Sequence, residues 1–343
     1  MHDRLLEALL SVANVRLVAA YTDDQLGFPG SDSIQVFIPD LHLLSAARRA
    51  HYAYGTNNES TLIQVVAQLG KLKADAMQRG QGVVVFHIGD YLDLWRETLL
   101  PLSDPGIPDQ IKDSHTDLVN LIEDPNLNTH FLLGNHDFDL YTLTAYNTWE
   151  RRFFIPGDAP NAIVMHGDYF DWVEKEVPEE LRDIAVYLFG ESHEAGTAVL
   201  GEMQDLTHKY NLAQDYTNRI QLAAPAPLGA MQAGESAIGA NYNLQTADNS
   251  VAGGLAFLDS ACQECVNANT NSGTQLRMVI IGHTHHARIA TKTMPDGKPF
   301  ALVDTGAWIE NCAEAANGTV FPNAQITALS ANQVRIYQLD PKD

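Results

Sequence analysis

Five short stretches hold residues whose types and spacing could do chemistry. They are "DLH" at Asp40–His42, "GDYLD" at Gly89–Asp93, "GNHD" at Gly134–Asp137, "HGD" at His166–Asp168 and "GHTH" at Gly282–His285. Among them stand four imidazoles (His42, His166, His283 and His285), two carboxylates (Asp40 and Asp90) and one amide (Asn135). A mixed carboxylate and imidazole set suits borderline divalent metals such as manganese, iron or zinc. Magnesium and calcium favour all-oxygen sites, and structural zinc favours thiolates. Seven such ligands exceed what one ion accepts. Two ions sharing a bridging carboxylate would use them all, and Asp90 is the expected bridge because its strand reads as central and wholly apolar. Manganese is the expected ion, with iron or zinc as substitutes.

These residues need elements that carry them to one place. Each follows an apolar, β-branched run: "QVFIPD" reaches Asp40, "GVVVFHIGD" reaches Asp90, "HFLLGNHD" reaches Asn135, "NAIVMHGD" reaches His166, and "RMVIIGHTH" reaches His283 and His285. "FALVDTGAW" follows, and "AQITALS" and "NQVRIYQL" read as a terminal hairpin. Ser60 to Arg79 carries Leu62, Val65, Val66, Leu69, Leu72 and Ala76 at helical spacing, and Gly80 ends it. Alternation of strand and helix argues for an α/β architecture, in which functional groups gather beyond the carboxyl ends of strands. The glycines Gly89, Gly134, Gly167 and Gly282 beside the ligands let the backbone turn where a side chain would crowd an ion.

Taken jointly and in this order, "DLH", "GDYLD", "GNHD", "HGD" and "GHTH" resemble the calcineurin-like metallophosphoesterase superfamily. The resemblance runs from about Val36 to Leu339, apart from a long insertion. "GDYLDLW", "HGDYFDW" and "DTGAWIENC" look most like the branch that includes the UDP-2,3-diacylglucosamine pyrophosphohydrolases. In the last of these, Asp304 stands where relatives carry Asn. The resemblance implies a fold of two packed, mixed β-sheets flanked by helices. It implies that Asp40, His42 and His285 hold one metal, that Asn135, His166 and His283 hold the other, and that Asp90 bridges. His136 would sit beside the phosphoryl group, with Asp137 orienting its ring.

The chemistry agrees with those roles. Two cations about 3.5–4 Å apart yield a hydroxide near neutral pH that can attack phosphorus in line. A protonated His136 could stabilise charge or protonate the leaving alkoxide, an effect of order 10²–10⁴-fold. Asp137 beside it would raise its basicity and fix its tautomer. The expected activity is a dinuclear metal-dependent phosphoesterase acting on a phosphomonoester, a phosphodiester or a nucleotide-sugar pyrophosphate. The lipid-precursor enzymes of that branch carry Arg where this chain has His136. The stretch "APAPLGAMQAGESAIGAN" also lacks the basic residues of a membrane-surface enzyme. A general phosphoesterase is therefore the better fit. The alternatives are a nuclease of the same superfamily and a non-catalytic, protein-binding scaffold on the same fold. A scaffold would be expected to have lost ligands or His136.

Composition narrows the partners. Asp and Glu number 43 against 21 Lys and Arg, a formal net charge of −22. Such a surface repels nucleic acid and anionic lipid, so no nucleic-acid partner is expected and an anionic substrate needs a local positive centre. A small phosphorylated substrate is the expected partner. Arg96 and Arg288 could clamp a second phosphate, and His286 could touch substrate; an ion pair with one of many acids is the competing reading for each arginine. No stretch reaches the length of a membrane span, and a cytoplasmic setting is expected. Cys262, Cys265 and Cys312 are too few for a disulfide framework, and Cys262-Gln-Glu-Cys265 reads as two thiols on a helix.

The expected organisation is an N-terminal helix and lead-in at 1–34, a core at 35–172 and 275–343, and a mainly helical cap at 173–274. The Leu spacing of "MHDRLLEALLSVANVRLVAA" suits one amphipathic helix. His87 reads as a hydrogen-bonded core histidine. Asp93 and Asp171 stay open between a hydrogen bond to a metal-binding His and a helix cap. Trp95, Trp172 and Trp308 stay open between pocket and core.

Overall fold

The apolar runs are continuous rather than alternating, which demands cover on both faces of a sheet. The chain supplies it in four layers. The computed structural model describes residues 1–24, 33–51, 59–97, 104–150, 153–154, 161–168, 252–285, 287–308 and 324–342.

Its helices are α1 (His2–Leu10), α2 (Ala46–His51), α3 (Glu59–Gln78), α4 (Leu94–Glu97), α5 (Ile107–Asp113), α6 (Thr116–Ile122) and α7 (Ala252–Ser272). Its strands are β1 (Ala13–Thr22), β2 (Ser33–Ile38), β3 (Gly82–Ile88), β4 (His130–Leu132), β5 (Ala162–Val164), β6 (Met278–Ile281), β7 (Arg288–Thr293), β8 (Pro299–Asp304), β9 (Gln325–Ser330) and β10 (Gln333–Pro341). One sheet has six strands in the order β1-β10-β9-β2-β3-β4, and the other has four in the order β5-β6-β8-β7. Both are mixed. β2, β3 and β4 run parallel, as do β5, β6 and β8, while β9, β10, β1 and β7 pair antiparallel.

Period-2 geometry sends alternate residues of β3 to different layers. Val83 and Val85 join Leu62, Val65, Val66 and Leu69 of α3 on the helix side. Phe86 and Ile88 face Val164, Met278, Ile280 and Val303 of the other sheet. Phe257, Leu258 and Ala261 of α7 cover the far face of that second sheet, against Val279, Phe300 and Leu302. The result is helices, sheet, sheet, helices: the mixed α/β architecture, with two mixed sheets flanked by helices. Truncating one such buried leucine, Leu69→Ala, carries a cost of about 2–5 kcal/mol.

Three features depart from the sequence reading. The N-terminal stretch splits where Leu spacing alone suggests one helix. The helix stops at Leu10, and Ala13–Thr22 pairs with β10 as an edge strand with a register shift between Leu17 and Ala19. An edge strand has one open side and a bulge spoils its alternation, so neither helical nor strand periodicity is clean. β7 was hidden for the same reason: it is an edge strand with much of its length exposed. His87 is fully buried, but its ring nitrogens make no hydrogen bond among the described residues; it lies against the rings of Tyr91 and Phe131.

Of the expected cap, 173–251 lies outside the described residues, and Ala252–Ser272 is the helix packed on the second sheet. Cys262 and Cys265 are buried in that helix–sheet contact. Trp308 is wholly buried, and its Nε1 donates to the Gln325 carbonyl. No helix among the described residues is long and apolar enough to cross a membrane.

Candidate metal centre

The carboxyl ends of β2, β3 and β4 meet those of β5, β6 and β8 at one edge of the sandwich. Asp40 and His42 follow β2, Asp90 follows β3, and Asn135 and His136 follow β4. His166 follows β5, and His283 and His285 follow β6. The structure brings all of these together. Asp40, His42, Asp90 and His285 form one buried group whose potential ligand atoms lie within 4.8 Å of one another, and Asp90, His166 and His283 form a second. Asp90 belongs to both. Its Oδ2 lies 3.4 Å from His42 Nε2 and 3.1 Å from His166 Nε2. Asn135 Oδ1 completes the second group, 2.9 Å from His166 Nε2 and 3.2 Å from His283 Nδ1.

Local backbone geometry is bent to make this possible. Among the described residues, seven non-glycine residues have positive φ, and four of them are His42 (46°), Asp90 (52°), His283 (68°) and His285 (61°). Each left-handed residue costs about 1–2 kcal/mol, and such outliers gather where side chains must converge. Two glycines clear the way. A Cβ on Gly134 would run into the Asp90 carboxylate, and one on Gly282 would run into that of Asp40.

The donor set fits cations. His42 Nδ1 donates to Asp93 Oδ2 at 3.1 Å, which leaves Nε2 as a lone pair. That lone pair faces His285 Nε2 at 3.0 Å. His166 Nδ1 donates to the Ile88 carbonyl at 3.0 Å, which turns its Nε2 toward the Asp90 and Asn135 oxygens. Asp40 Oδ1 is buried with no hydrogen-bond partner. Ring nitrogens and carboxylate oxygens thus converge at two adjacent points, an arrangement that a cation at each would satisfy.

The ionisation of the site says the same. Burial works against a proton on His166, but the Asp90 carboxylate outweighs it and carries the ring up to about 10. Burial likewise opposes the Asp90 charge, yet His166, His136 and His42 hold that carboxyl well below its usual range. Asp40 is held low against its burial by His285 and His166. Burial lowers His42, despite Asp90, toward the neutral imidazole that a metal ion needs. The same Asp90 charge that favours a proton on His166 would favour a cation beside it.

The ring of His136 corrects one expectation. Asp93, not Asp137, orients it. His136 Nδ1 donates to Asp93 Oδ1 at 3.0 Å, so one buried carboxylate holds both His136 and His42. Asp137 points away into the loops. It accepts the backbone N–H of Gly134 at 2.7 Å, of Tyr91 at 2.8 Å and of Leu92 at 3.4 Å. Burial, and then the Asp90 charge, push its carboxyl up to about 8 against those donors. Sequence adjacency suggested the wrong acid, because a turn sends neighbouring side chains to opposite sides. The sign that pointed to Asp93 was its place three residues beyond Asp90 on the same loop.

Arg288, opposite Asp304 on paired strands, has its Nε 3.8 Å from Asp304 Oδ2. Burial pushes the Asp304 carboxyl up to about 7 in spite of Arg288. Neither Asp304 nor Thr284, which donates its hydroxyl to Asp304 Oδ2, is marked by sequence as part of the centre. His286, Asp171, Trp172 and the side chains of Trp95 and Arg96 lie outside what is described.

No protein-family model matches the chain. No curated protein matches its sequence. Among solved structures, the Thermus thermophilus sulfate thiohydrolase SoxB, in complex with glycerol, aligns with 91% of this chain at 10% sequence identity and a TM-score of 0.30. The chain spans 57% of the SoxB chain. A likeness that faint says nothing about activity.

Proposed function

We propose that this chain is a dinuclear metal-dependent phosphoesterase of the calcineurin-like metallophosphoesterase superfamily. The observation that carries this reading is the sharing of one buried carboxylate, Asp90, between two adjacent groups of acceptors. Asp40, His42, Asp90 and His285 would hold one ion; Asp90, Asn135, His166 and His283 would hold the other. When bound, such ions supply Lewis-acid polarisation of phosphoryl oxygens and of the attacking water.

The remaining work falls to side chains. Asp93 fixes His136 with its proton on Nδ1 toward the carboxylate, so Nε2 is the nitrogen that can pass a proton to a departing alkoxide. The His136 backbone N–H donates to Asp90 Oδ1 at 2.9 Å, tying the position of that ring to the shared ligand. Burial keeps water from screening these contacts. A small phosphorylated substrate fits a chain of net charge −22 in which a metal centre would supply the local positive charge that an anion needs. Manganese as the ion, a cytoplasmic setting and contacts from Arg96, Arg288 or His286 to a second phosphate belong to the same proposal.

The test is metal content together with phosphate release. Purified protein with added manganese should hold two ions and hydrolyse at least one of a p-nitrophenyl monoester, its diester and a nucleotide-sugar pyrophosphate. Chelated protein should be inactive. Two bound ions with no hydrolysis in any class would overturn the catalytic reading; failure to take up manganese would overturn the metal centre itself.

A further inference from the structure

The turn that carries His283 and His285 is itself unfavourable. Both histidines are left-handed, and a β-branched residue, Thr284, stands between them. Something must hold that conformation in place. One restraint comes from the front: the His283 backbone N–H donates to Asp40 Oδ2 at 2.7 Å. Another comes from behind. β8 runs parallel to β6 with Asp304 in register with Ile281, so the Asp304 side chain emerges where β6 ends and the turn begins. Asp304 is fully buried, and its Oδ2 accepts the Thr284 hydroxyl. The next residue is pinned to the same strand end, since both the backbone N–H and the hydroxyl of Thr305 donate to the Ile281 carbonyl at 2.9 Å.

We infer that Asp304 and Thr284 are a pair of positioning residues: their hydrogen bond sets the His283–His285 turn so that both imidazoles reach the metal centre. This rests on the reading that those histidines hold ions. The role belongs to the acceptor oxygen rather than to the charge. Asn at 304 would keep an oxygen for the hydroxyl, whereas Ala would remove that acceptor. Arg288 stands opposite Asp304, its Nε 3.8 Å from Asp304 Oδ2, close enough to favour the carboxylate charge.

The probe is manganese alone, titrated calorimetrically into metal-free protein, with wild type alongside Thr284→Val, Thr284→Ser, Asp304→Asn and Asp304→Ala. Groups that orient metal ligands typically change affinity 10–100-fold. Thr284→Val and Asp304→Ala should each weaken manganese binding by about tenfold or more, while Thr284→Ser and Asp304→Asn should stay within about threefold of wild type. The double variant Thr284→Val with Asp304→Ala should be no weaker than either alone, because one bond cannot be lost twice. Wild-type affinity in Thr284→Val overturns the inference. So does a loss in Asp304→Asn as large as in Asp304→Ala, which would assign the effect to charge. If Asp304→Ala does not fold, the Val and Ser variants at 284 decide alone. A wild-type protein that takes up no manganese would instead remove the metal centre on which the inference stands.

Discussion

On the first-sheet wall of the centre, Asp40, His42, Asp90 and His136 ride loops stitched together by main-chain hydrogen bonds. Leu41 and His42 N–H both donate to the Asp90 carbonyl, Leu43 N–H to that of Tyr91, Asp93 N–H to that of Leu43, and Leu94 N–H to that of His136. Asp137 adds its carboxylate to three further N–H groups of the same loops. On the second-sheet wall, His283 and His285 sit on a tight turn restrained through side chains, Asp40 in front and Thr284–Asp304 behind. His283 is also the partly exposed member of its group. The lesson is one of degree: main-chain bonds between loops, which most substitutions leave intact, predominate on the first wall, whereas the second-wall turn, held in part by the Gly282 N–H to the His166 carbonyl and the Thr284 N–H to the Gly282 carbonyl, adds side-chain restraints that a single substitution removes.

The largest expected effect breaks the joint between the walls. Asp90→Ala removes the carboxylate common to both groups. Bound metal should fall below two ions per chain, and loss of several kcal/mol of transition-state stabilisation should lower phosphate release by about 10³-fold or more. Two ions retained by metal analysis would refute the shared role.

Next come the first-wall residues to which the proposal assigns acid–base work. His136→Ala should lower kcat by about 10²–10⁴-fold with both ions still bound. Asp93→Ala should lower it by about 10–100-fold and also weaken one ion, because the same carboxylate orients His42. An Asp93→Ala enzyme with normal turnover would return the orienting role to another group. Asp137→Ala sharpens the contrast. It strands buried N–H donors, so about 2–4 kcal/mol should be lost in chemical denaturation. Full stability with lost turnover would show that Asp137 acts on the chemistry instead.

The last effect, spread over the pH scale rather than seen at neutral pH, concerns a residue behind the first wall. Burial lowers His87 to about 3 in the folded chain, whereas an unfolded histidine titrates near 6.5. Between those values the unfolded state binds the extra proton. Stability from this group is therefore complete above pH of about 6.5 and is lost as pH falls toward about 3, by up to ~1.4 kcal/mol per pH unit. His87→Phe should flatten the fall of the urea midpoint between about pH 6 and pH 4 by up to that slope. An unchanged profile would mean that His87 is not buried against protonation.

Much of both walls was legible in the chain because buried strands must be apolar on both faces. Polar residues are then confined to their ends, and "GVVVFHIGD" and "RMVIIGHTH" announce themselves. β1 and β7 were not legible, since edge strands lack that constraint. Residue order alone therefore determined the α/β plan and where on each strand the chemistry-bearing side chains fall, while the pair of packed sheets was implied by the motif resemblance. Partner choice was decided only by tertiary structure. That His136 meets Asp93 rather than its neighbour Asp137, that His87 lies among rings with no hydrogen bond from the described residues, and that Thr284 finds Asp304 twenty residues on all depend on how loops from different strands cross. Hydrogen bonds act over about 3 Å in space, and spacing along a chain does not measure that distance.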